Sequence, residues 1–129
     1  MFEELDFIYL PSTDVAQELA GYVDELGAEV VFAIERFGTR VAMLRLTDGG
    51  PALLLAQHLH GEQPVLVYRV PDLDQAEAAL RAGGAEVGER FEFPDGDAVE
   101  VLRPGPQRVA VYQRTQPERA ASIVGRRDF

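Results

Sequence analysis

His58 and His60 stand one residue apart where an apolar run ends, a spacing from which a divalent metal can take two imidazole nitrogens. No acidic or imidazole companion is placed beside them by the surrounding pattern, so the pair reads as polar residues of a surface hinge. Other chemistry is sparse. The chain has no cysteine, which removes disulfides, thiolate nucleophiles and thiolate metal sites together. Ser12 and Ser122 lie in no nucleophile motif, and no glycine loop of the phosphate-cradling or dinucleotide type occurs. What remains is a scattered set of acid–base candidates, Tyr9, His58 and Glu100, and three arginines, Arg45, Arg69 and Arg108, able to pair with carboxylates or phosphates.

Those residues need elements to hold them, and the chain supplies the elements twice. Asp14-Val15-Ala16-Gln17 running to Gly27-Ala28-Glu29-Val30 is echoed by Asp72-Leu73-Asp74-Gln75 running to Gly84-Ala85-Glu86-Val87, and Glu35-Arg36-Phe37 returns as Glu89-Arg90-Phe91. The offset is roughly 58 residues, too long for a solenoid unit and suited to a duplicated half-domain. In the first half a strand is expected over Leu5 to Leu10. A helix follows, capped by Ser12 or Thr13, with Val15, Leu19, Ala20, Val23 and Leu26 on one face and Gly27 as its stop. Strands are then expected at Val30 to Ile34, Arg40 to Leu46 and Ala52 to Gln57. The second half repeats this: a strand at Val65 to Val70, a helix opened by Asp72 and closed at Gly83-Gly84, and strands at Glu86 to Phe93, Ala98 to Leu102 and Arg108 to Gln113. The α+β class follows, as tandem βαβββ repeats in one domain over 1–113. The halves are about 1–58 and 64–113, with 58–63 as a hinge. Residues 114–129 read as a C-terminal tail with a few apolar residues, able to dock on the domain or on a partner chain but expected to fray.

Composition narrows the partners. With 47% hydrophobic and 26% charged residues over 129 positions, the chain is long enough for one core and too short for two full domains. A formal net charge of −10 disfavours nucleic acid, which is bound through clustered Lys and Arg. No apolar run approaches membrane-spanning length and the acidic start lacks a signal's basic region, so a cytoplasmic protein without membrane contact is expected.

The doubled β-α-β-β-β order, with Val70-Pro71-Asp72-Leu73-Asp74 leading the second helix and Leu80-Arg81-Ala82-Gly83-Gly84-Ala85 closing it, resembles the vicinal oxygen chelate superfamily over about residues 5 to 113. Glyoxalase I, extradiol dioxygenases and bleomycin-resistance proteins share that fold. The resemblance implies a cupped mixed sheet with helices on its outer face, and metal ligands from the first and last strand of each half. Those four positions fall on Phe7, Leu54, Val65 and Ala110 here, the last read from the degraded turn Arg103-Pro104-Gly105-Pro106-Gln107. A second register, on Pro94-Asp95-Gly96-Asp97, would nominate Glu100 instead. None of the four side chains can ligate a metal, so no metal and no cofactor is expected.

Strand alternation then sorts the faces. Ile8, Leu10, Leu53, Leu55, Leu66, Tyr68, Val70, Val109 and Val111 are expected under the helices. The opposite face is expected to bind the ligand through Phe7, Tyr9, Met43, Arg45, Leu54, His58, Val65, Val67, Arg69, Glu100, Arg108 and Tyr112, with Ala56 and Ala110 between them. Three functions fit. The first is a metal-free protein similar to the bleomycin-resistance branch, sequestering a cationic or aromatic small molecule, and by that resemblance a homodimer. The second is a glyoxalase- or dioxygenase-like lyase or isomerase, metal-independent or unexpectedly metal-dependent, that uses Glu100, His58 or Tyr9 as acid or base. The third is an accessory dimeric protein without a ligand.

Overall fold

A computed structural model describes every residue, Met1–Phe129. Eight strands and three short helices form an α+β fold: β1 Glu4–Pro11, α1 Val15–Leu26, β2 Glu29–Arg36, β3 Thr39–Arg45, β4 Ala52–Ala56, β5 Val65–Arg69, α2 Leu73–Ala82, β6 Glu86–Phe93, β7 Gly96–Leu102, β8 Arg108–Gln113 and α3 Pro117–Ala121. Two compact units emerge. One comprises Phe7–Pro64 with Ile123–Phe129, the other Met1–Asp6 with Val65–Ser122.

Each unit contains a mixed four-stranded sheet with one crossover helix packed on one face, α1 in the first and α2 in the second, which also holds the short α3. In the first, β1 pairs parallel with β4, β4 antiparallel with β3, and β3 antiparallel with β2. In the second, β5 pairs parallel with β8, β8 antiparallel with β7, and β7 antiparallel with β6. A hairpin needs only a tight turn, whereas each parallel pair needs a long crossover, and in both units that crossover carries the helix. The helices open alike. Asp14 and Asp72, not Ser12 or Thr13, are the N-caps; their carboxylates accept the N–H of Gln17 and Gln75. Gly27 ends α1 at φ 70°, where a side chain would be strained.

The apolar stripe of α1, Val15 and Leu19, packs on Ala42, Leu44 and Leu55 with Leu10 and Leu53 beside them. That of α2, Leu73 and Ala76, packs on Val70, Val99 and Val111 with Tyr68 beside them. Alternation therefore turns Phe7, Tyr9, Met43 and Leu54 in one unit, and Val67, Arg69, Ala110 and Tyr112 in the other, to the face away from the helix.

One feature agrees with the sequence reading and one departs from it. The irregularities in strand register fall in β2, between Val30 and Phe32, and in β6, between Val87 and Arg90, so Glu100 stays opposite Ala110 on one face. Residues 114–129 do not fray. They form α3 and then a segment hydrogen-bonded to β2, through Gly125 N–H to Val31 C=O at 2.7 Å and Asp128 N–H to Ala33 C=O at 2.7 Å. No helix is long and apolar enough to cross a membrane.

Candidate functional site

Within the Phe7–Pro64 unit, Tyr9 stands mid-strand in β1 opposite Leu54 of β4, and Met43 of β3 pairs with the same Leu54. Phe7, Tyr9, Met43 and Leu54 are all buried, at 7% exposure or less. His58 follows the end of β4, and its Nε2 lies 3.0 Å from the Tyr9 hydroxyl. Desolvation holds the His58 pKa below the ordinary histidine value, and the neighbouring His60 lowers it further. At neutral pH the ring is therefore uncharged, with one nitrogen lone pair to accept a proton. Arg45, on the same face of β3 as Met43, donates to the Gly50 carbonyl at 3.4 Å and forms no ion pair.

Within the other unit the polar residues are committed to one another. Arg108 Nε donates to Glu100 Oε1 at 2.9 Å. Arg69 meets Glu3 at 3.6 Å, Glu4 at 3.7 Å and Asp6 at 3.4 Å. The Tyr112 hydroxyl donates to Asp6, and Arg114 reaches Asp6 at 3.4 Å and Asp95 at 3.0 Å. Burial raises the pKa of Tyr112, so its hydroxyl stays protonated, and burial also raises that of Asp95. Asp6, Asp95 and Arg114 were not singled out from sequence. Asp6 is 106 residues from Tyr112, and no local pattern announces a contact of that span.

Metal chemistry does not fit this donor set. Phe7, Leu54, Val65 and Ala110 offer hydrocarbon at the positions where the family resemblance puts ligands. Elsewhere no three His, Asp or Glu side chains gather closely enough to hold an ion.

No protein-family model and no curated protein matches the sequence. Solved structures do match. Methylmalonyl-CoA epimerase from Mycobacterium tuberculosis superposes with a TM-score of 0.71 at 20% identity, over 87% of this chain and 88% of that one. A Streptomyces coelicolor methylmalonyl-CoA epimerase variant in complex with 2-nitronate-propionyl-CoA gives 0.72 at 17% identity, over 97% and 99%. The fold is that of the vicinal oxygen chelate superfamily. A homoprotocatechuate 2,3-dioxygenase variant from Brevibacterium fuscum matches at 0.64 and 25% identity, over 88% of this chain and 33% of that enzyme. One vicinal oxygen chelate backbone thus carries an epimerase and a dioxygenase among its matches, and fold alone does not choose between chemistries.

Proposed function

We propose that this vicinal oxygen chelate protein is a metal-independent, isomerase-type enzyme that moves a carbon-bound proton on a small anionic acyl compound, acting as a cytoplasmic homodimer. The observation that carries the reading is the Tyr9–His58 hydrogen bond of 3.0 Å on the face away from α1, with His58 held neutral. The match to epimerases supports the reaction class. In the step proposed, a C–H proton leaves for the Tyr9 oxygen while the Tyr9 proton passes to His58 Nε2. The C–H electron pair becomes an enolate. Return of the proton from the Tyr9 oxygen, to the same carbon once the enolate has turned its other face to Tyr9 or to a neighbouring carbon, completes the isomerisation, and the His58 proton passes back to Tyr9 to restore both residues. Arg45 is the arginine to meet the enolate or a substrate carboxylate, since Arg69 and Arg108 already face carboxylates of their own unit.

The second reading is sequestration without chemistry, favoured by the apolar side chains that strand alternation turns away from the helices, Phe7, Met43 and Leu54 in one unit and Val65, Val67 and Ala110 in the other. One experiment separates the two. Chelator-treated protein is incubated in D₂O with a panel of 2-substituted acyl thioesters, methylmalonyl-CoA among them, and 2-oxo acids, and deuterium incorporation is followed by NMR. Exchange is expected in the presence of EDTA, reduced at least a hundredfold in Tyr9→Phe and His58→Gln, and declining on acidification with a midpoint below the ordinary histidine pKa, as His58 takes a proton. Saturable thermal shifts without any exchange would establish the sequestering reading instead.

A further inference from the structure

β2 is the outermost strand of its four-stranded sheet, with β3 on one side only. Its central run, Val30-Val31-Phe32-Ala33-Ile34, has no charge, no proline and no glycine. An open edge of that composition is a template on which another chain can add a strand. β6 occupies the corresponding edge of the other unit and is built differently. Glu86, Glu89, Arg90 and Glu92 place four charges in its eight residues, and a register shift interrupts it. Charge and bulge together blunt an edge against pairing, and β2 keeps its bulge near one end but has no charge in its middle.

Residues Ile123–Phe129 supply what β2 lacks. Gly125 N–H donates to Val31 C=O at 2.7 Å, Ala33 N–H to Arg126 C=O at 2.9 Å, and Asp128 N–H to Ala33 C=O at 2.7 Å. The Asp128 carboxylate then accepts the Glu35 N–H at 2.9 Å. Ala33 and Arg127 form a parallel bridge, so the segment lies on β2 as a short added strand. It is fastened at both ends: Ile123 is buried, and the Phe129 ring packs beside the α1 core with the Arg40 guanidinium 4.7 Å above it.

We propose that the β2 edge is a strand-pairing surface for a second copy of this chain, and that Ile123–Phe129 is the built-in segment that occupies it and limits that pairing. The proposal is independent of the reaction assigned to Tyr9 and His58. The partner is a second copy because the exposed groups would be backbone donors and acceptors in an uncharged β-prone run, and the same run on another molecule is complementary to them.

Two variants test it by sedimentation velocity against the full chain over a concentration series. One ends at Ser122. The other keeps every residue but carries Gly125→Pro, since proline cannot adopt the φ of 84° found there and has no N–H for Val31. Both are expected to associate at least tenfold more tightly than the full chain. Adding the heptapeptide of residues 123–129 should reverse the effect for the Ser122 variant, and Val31→Lys should suppress it. Folded variants with the same mass as the full chain at every concentration would overturn the proposal. Loss of the cooperative melt in both would overturn it too, because the segment would then be part of the fold and not the occupant of an edge.

Discussion

Asp95 sits at the β6–β7 turn with one carboxylate oxygen on Arg114 at 3.0 Å and the other buried without a hydrogen-bond partner. Burial outweighs the guanidinium and raises its pKa. An acid whose pKa is higher folded than unfolded binds its proton more tightly in the native state. Stability is therefore lost as pH rises from the unfolded value of 3.8 through the raised folded one, at about 1.4 kcal/mol per unit of difference. Asp95→Asn should remove this slope, so that the melting temperature at pH 7 relative to pH 4 is higher in the variant than in the wild type; an unchanged difference would refute the assignment. Phe37 offers a test of backbone strain. It is 98% exposed and takes φ 53° beside Gly38 at φ 75°, the left-handed pair of a two-residue hairpin turn in which Asn-Gly is preferred. No burial is lost on replacing the ring, so Phe37→Asn should stabilise the protein by about 0.5–1 kcal/mol in urea denaturation.

The strands and helices were largely legible because their signals are local. β6 and β8 match the expected spans, and Asp72 opens α2 as its Asp-x-x-Gln pattern suggests. The cap of α1 was misplaced by one or two residues, since Ser12, Thr13 and Asp14 are all capable caps; the signal that selects Asp14 was its Asp-x-x-Gln spacing to Gln17, the same as that of Asp72 to Gln75. The pairing of Tyr9 with His58 was not legible, although each was a candidate. They are 49 residues apart, and the contact depends on the β1–β4 register and on where the chain turns after Ala56. Close approach of backbones is equally invisible in sequence. A Cβ on Gly96 would lie 1.8 Å from the Gln113 carbonyl oxygen and 3.0 Å from Thr115 N, both rigid main-chain groups, where β7 meets the end of β8. One on Gly88 would meet nothing nearer than 3.6 Å. Gly96→Ala should therefore cost about 3 kcal/mol, and Gly88→Ala should stay within about 0.5 kcal/mol of the wild type in the same denaturation assay.

Duplication makes the halves look separable, yet the compact units do not follow the halves of the sequence. Met1–Asp6 belongs with Val65–Ser122, and Ile123–Phe129 belongs with Phe7–Pro64. The first exchange has a chemical reason: Asp6 accepts from the buried Tyr112 hydroxyl and meets both Arg69 and Arg114. Without it the buried Tyr112 hydroxyl loses this acceptor and two partly exposed guanidiniums lose a shared carboxylate, a cost of about 1–3 kcal/mol. The second exchange is the segment that covers β2, whose removal opens Val31, Ala33 and Glu35 to pairing. A cut between Gly61 and Glu62 would leave each fragment without a piece that completes it. The 62–129 fragment alone should show no cooperative thermal transition by circular dichroism, and an equimolar mixture with the 1–61 fragment should regain one, because Met1–Asp6 brings the carboxylate that the Val65–Ser122 unit requires. A 62–129 fragment that melts cooperatively by itself would show that the exchange of Met1–Asp6 contributes little, and that this unit stands on its strand pairing and helix packing alone.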